Sequence, residues 1–154
     1  MLKKFLIIIT LIIVGAAVVG AWWRWGKEEI ASVINIEYFG NELEKKDLIR
    51  IASPRPNQTV QSPLTITGEA RGYWFFEASF PIVLTDWDGL IIGQGIAQAK
   101  SDWMTADFVP FEATLAFTAD KNAYSNRGTL ILRKDNPSGL PEHDDALEIP
   151  VELQ

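Results

Sequence analysis

A chain of 154 residues has room for one domain and an appendage. Its formal charge of −6 opposes binding to nucleic-acid phosphates, which proteins hold through Lys and Arg patches. The absence of cysteine excludes disulfides, thiolate nucleophiles, Cys-ligated zinc and attachment of a lipid through a cysteine.

Lys3 and Lys4 precede an uncharged run from Phe5 to Trp23. As a helix rising about 1.5 Å per residue, that run matches the roughly 30 Å hydrocarbon core of a bilayer. No polar face interrupts it, as a helix packed on a soluble core would require. The two lysines predict a cytoplasmic N-terminus, and Trp22, Trp23 and Trp25 fall where an interfacial aromatic belt belongs on the far side. Residues 1–25 are therefore expected to be a single-pass signal anchor that places the following domain outside the cell membrane. Val19-Gly20-Ala21 also fits a signal-peptidase site, and cleavage there would export the same domain.

Residues 26–47 turn abruptly polar and charged, and are expected to be a tether with local structure at most. From residue 48 to residue 154 short apolar or alternating segments recur between turn residues, the pattern of an all-β sandwich. Ile49 to Ala52 is a first strand, broken by Ser53-Pro54-Arg55-Pro56. Pro63 to Ala70 alternates with Leu64 and Ile66 inward, and Gly68 marks a loosened pairing or a bulge. A central strand is expected from Trp74 to Thr85. Asp88-Gly89 then supplies a hairpin turn, and Leu90 to Ala99 returns as its partner. Phe108 to Thr118 places Phe111, Ala113, Leu115 and Phe117 on one face, Gly128 to Arg133 places Leu130 and Leu132 on one face, and Ala146 to Leu153 closes the sheet. About seven strands result.

The words SPRPNQTVQSPLTITGEARG, WFFEASFPIVLTDWDG, DWMTADFVPFEATLAF and GTLILRKDNPSG occur in order between Leu48 and Leu153. In this combination the chain resembles the Gmad-type immunoglobulin-like domain of bacterial spore germination proteins, which is associated with the GerM domain. The resemblance implies an immunoglobulin-like β-sandwich on the extracytoplasmic side with no enzymatic activity attached.

No catalytic constellation and no metal-ligand spacing is present, so neither an enzyme nor a cofactor is expected. His143, the only histidine, lies among Glu142, Asp144 and Asp145 in a loop with too few partners for a triad or a zinc site. Asp86 and Asp88 before Gly89 resemble a calcium loop, but the glycine comes too early and the twelfth position is Ala97. Glu77, the one charge in the aromatic segment from Tyr73 to Phe80, is expected to be partly buried and paired with Arg71 or Arg133. Trp74, Trp87 and Trp103 are candidates for an interaction surface, weighed against a place in the core. The expected function is that of a non-enzymatic, membrane-tethered domain that contacts an envelope protein or the cell wall. The alternative is a carbohydrate-binding, peptidoglycan-directed module that stacks sugars on exposed tryptophans.

Overall fold

The computed structural model describes residues 40–154; the segment expected to form the membrane anchor, Phe5 to Trp23, lies outside the described residues. The domain is all-β apart from one short helix and two single 3₁₀ turns. Its elements are α1 (Glu42–Lys45), β1 (Ile49–Ser53), β2 (Thr59–Val60), β3 (Leu64–Arg71), β4 (Ser79–Asp86), β5 (Ile91–Ala99), β6 (Phe108–Leu115), β7 (Arg127–Arg133) and β8 (Ala146–Leu153). The strands form one sheet in the order β1-β3-β6-β5-β4-β7-β8-β2. It curls on itself at β5 and β6, which pair only at Gln98 with Glu112 and Ala99 with Phe111. Beyond that point the ladder stops, and the chain of β6 and its continuation packs against Gly93 and Gly95, where a Cβ would meet Phe117 and Leu115 at about 3 Å.

Alternation decides which side chains line the interior. β6 and β7 bury every second residue along most of their length, and β8 buries Leu147, Ile149 and Val151. In β3, Leu64, Ile66 and Ala70 point inward, and Gly68 occupies the inward position where the Phe111 ring needs room. The β1 bulge falls opposite this glycine, between Ile51 and Ser53. Phe75, Phe80 and Phe111 form a chain of edge-to-face contacts, with ring centroids 5.1 and 5.0 Å apart. Trp74 fills the same core and is completely buried.

Eight strands are present where seven are expected, because Thr59–Val60 pairs in parallel with Glu152 and Leu153. The chain leaves β1 after Ser53 and crosses to the opposite border of the sheet. Asn57 then donates its backbone N–H to Pro150 O at 2.7 Å.

The stretch expected to be a tether is part of the domain from Gly40 onward. The Asn41 side chain acts as a substitute strand residue: its Nδ2 donates to Ala146 O at 3.0 Å, and its Oδ1 accepts the Glu148 N–H at 2.8 Å. Ion pairs from Lys45 to Asp145 and from Arg55 to Glu42 hold α1 in place. Gly40 has φ of +63°, and a Cβ there would collide with Glu148 O, so the chain enters against the backbone of β8.

Candidate interaction surface

The sheet has two ends. At one, the chain enters beside the start of β8, and the β3–β4, β5–β6 and β7–β8 connections gather; at the other are the β4–β5 hairpin and the β6–β7 loop. The hairpin is built by Asp86. Its Oδ1 accepts the backbone N–H groups of Asp88 at 3.0 Å and Leu90 at 2.9 Å, and its own N–H donates to Leu90 O. Of the loop residues Trp87, Asp88 and Gly89, only Gly89 takes a positive φ, +82°. The Asp88-Gly89 hairpin is thus a three-residue loop, and Asp86 braces the backbone.

This loop lifts Trp87 into solvent, where 47% of it is exposed. Tyr124, from the β6–β7 loop, is 91% exposed and packs on it with ring centroids 5.6 Å apart and planes tilted by 53°. Leu90 and Ile91 on the hairpin are exposed as well. The outcome is an aromatic and aliphatic tip at the end opposite the one where the chain enters. Apolar side chains gathered in solvent mark contact surfaces more often than isolated ones do.

The three candidate tryptophans therefore separate. Trp74 is buried in the core and offers no stacking face, Trp103 is half-buried and packs on the core, and Trp87 is exposed. The sequence does not single out Tyr124, which lies in a polar turn with no periodicity. Its only signal was an aromatic ring amid Asp120, Lys121, Asn122, Ser125 and Asn126.

The expected pairing of Glu77 is not found. The aromatic run is not one strand: Gly72–Trp74 makes a 3₁₀ turn, and Phe76 and Ser79 exchange backbone hydrogen bonds of 3.0 Å across a two-residue turn. Glu77 and Ala78 are the residues of that turn, with φ of +49° and +63°. Glu77 is exposed there, and no ion pair joins it to Arg71 or Arg133 among the described residues. Arg71 instead donates to Asp47 O and Ala106 O. Its guanidinium and that of Arg50 each lie 4.0 Å from the centroid of the Phe108 ring. Arg133 is exposed at the end of β7, where it lines an open polar groove of about 530 Å³ beside α1.

Charges of both signs line that groove, and Lys45 and Asp145 already neutralise each other across it. His143 is tied into its own loop by a 3.0 Å contact from Nδ1 to Ser138 Oγ. Among the described residues no three His, Cys, Asp or Glu side chains are grouped to hold a metal ion.

The model of the Gmad2 family, the immunoglobulin-like domain of bacterial spore germination, matches residues 48–139. The chain belongs to this family. Comparison with curated proteins and with solved structures returned no match. The Gmad2 match runs from the residue before β1 to the loop after β7, so it includes the hairpin carrying Trp87 and the loop carrying Tyr124. It stops short of β8, yet β8 pairs with β7 along its whole length and encloses Leu147, Ile149 and Val151. The Gmad2 domain of this chain is therefore completed by a strand beyond the matched region.

Proposed function

We propose that this chain is a non-enzymatic, membrane-tethered, extracytoplasmic immunoglobulin-like β-sandwich that mediates contacts with another protein of the cell envelope. The tether is the apolar run from Phe5 to Trp23, which leaves Lys3 and Lys4 in the cytoplasm. Family membership supports the association with spore germination proteins.

The observation that carries this reading is the exposed tip formed by Trp87, Tyr124, Leu90 and Ile91. It lies at the far end of the domain from Gly40. Aromatic side chains supply a disproportionate share of binding energy at protein interfaces, because they bury large areas with few rotatable bonds. Among the described residues the side-chain hydrogen bonds at the tip serve the loops themselves, as those of Asp86 and Asp120 do.

The Trp87–Tyr124 pair also supports the second reading, a peptidoglycan-binding module, because an exposed aromatic pair can stack a sugar ring. One experiment separates them. Crosslinking in intact cells that carry the full chain, followed by pull-down, is expected to recover an envelope protein. Recovery of cell-wall fragments alone would favour the second reading, and recovery of nothing beyond background would overturn both.

A further inference from the structure

The curl at β5 and β6 gives the sheet two outward faces, and they differ in charge. β1, β3 and β6 turn Arg50, Glu69, Arg71 and Glu112 outward, between the buried positions of each strand. These charges are served within the chain: Arg50 pairs with Glu69, Lys100 pairs with Glu112, and the guanidiniums of Arg50 and Arg71 cover Phe108. The face made by β5, β4 and β7 is built otherwise.

Its membership follows from the ladder, because directly opposite residues share a face. Val83 lies opposite Gln94 on one side and Ile131 on the other, and Pro81 lies opposite Ile96. Beyond the bulge at Ile92, Thr85 lies opposite Ile91 and Thr129. Phe80, Ile82 and Leu84 alternate with these positions and fill the core. Val83 is buried as well but stands outside the core cluster, as befits an outward residue at the centre of this face. Ile91 and Ile96 are 47% and 58% exposed, and Gln94 is exposed between them.

The outward positions of β4 and β5 carry no charge, and neither do Thr129 and Ile131. Charge begins at the margin, with Arg127 and Arg133 at the ends of β7 and Glu148 and Glu152 on β8. Among the described residues none of these four is in an ion pair.

The chemistry of this field selects its occupant. Nucleic acids and anionic lipid headgroups are held by cations, and the field has none. Sugars stack on aromatic rings, and it has none of those either. Rows of β-branched side chains on a pleated surface pack against a second such surface, as the two layers of a sandwich do. A second copy of the chain brings that surface with it. Two molecules of net charge −6 repel each other, and a contact made here adds no like charges to that repulsion. A twofold contact also needs both signs of charge within one rim, since residue i meets j and j meets i, and this margin has them.

We infer that this face packs on the same face of a second copy, forming a sheet-on-sheet dimer centred near Val83. Three strands about 4.8 Å apart make a field of about 15 by 20 Å, which is small beside the roughly 800 Å² per partner of a standard interface. The dimer is therefore weak and needs a high local concentration, which rests on the membrane tether proposed above. It does not depend on the tip binding a partner.

The chain has no cysteine, so Gln94→Cys and Thr114→Cys each place one exposed thiol, the first on this face and the second on the opposite one. In intact cells producing the full-length chain, a thiol-to-thiol reagent spanning about 10 Å, the spacing of packed sheets, is expected to convert Q94C to a homodimer at least ten-fold more than T114C. Adding Ile96→Lys to Q94C, a change at an exposed side chain, is expected to lower the yield at least ten-fold, and Ile96→Ser several-fold. Thr65→Lys, on the opposite face, is expected to leave it unchanged. A Q94C yield no greater than that of T114C, an adduct with a different protein in place of the homodimer, or a yield unchanged by Ile96→Lys would overturn the inference. Sedimentation of the chain with membranes, read in the same samples, reports on the tether separately.

Discussion

The two ends of this domain use their aromatic residues in opposite ways. At the end where the chain enters, Trp74 is completely enclosed, and its own carbonyl accepts a hydrogen bond from Asp135 that ties the β3–β4 connection to the loop after β7. Arg50 and Arg71 stack on Phe108, and Asn41 joins α1 to β8 by long-range hydrogen bonds. At the other end, Trp87 and Tyr124 touch each other and remain in solvent. Side chains at the first end contribute to folding, and those at the second leave apolar surface available to a partner.

If this division is correct, substitutions at the two ends differ in what they damage. Trp74→Ala has the largest expected effect, a loss of about 3–5 kcal/mol in unfolding free energy, since it empties a large core position. Trp74→Phe should cost much less: the indole N–H is buried without a hydrogen-bond partner among the described residues, and phenylalanine removes that unsatisfied donor along with some volume. Urea unfolding of the two variants, read by circular dichroism, gives this comparison directly. A W74A chain as stable as the parent would show that the enclosed end is not what holds the domain.

Asn41→Ala comes next. It removes the bonds to Ala146 O and from the Glu148 N–H, each worth about 1 kcal/mol net, so a loss of about 1–2 kcal/mol is expected in the same assay. No change would mean that residues 40–47 behave as the tether suggested by their composition. The smallest expected effect belongs to Trp87→Ala, within about 0.5 kcal/mol of the parent, because the ring lies at the surface and takes no part in the core.

Much of this arrangement was legible in the sequence, for reasons that particular residues make plain. β6, β7 and β8 alternate strictly, and side chains expected to face inward, such as Phe111, Leu130 and Leu132, are buried. β2 was not legible because two residues are too few to show a period. The docking of Asn41 was hidden by sequence distance: its partners lie more than a hundred residues away, and its own surroundings are polar. The position of Glu77 is not legible because consecutive aromatics suggest a strand, whereas Glu77 and Ala78 adopt left-handed conformations that neither residue type advertises. At the tip, the sequence points to Trp87 and not to Tyr124, since only the fold brings the two loops together.

The most direct test is to measure stability and partner capture together on the Trp87→Ala, Tyr124→Ala double variant. The account predicts an unfolding free energy within about 1 kcal/mol of the parent, since both changes are at the surface, and loss of the crosslinked envelope partner that the parent recovers. Undiminished capture by the stable double variant would contradict the assignment of this tip as the contact surface.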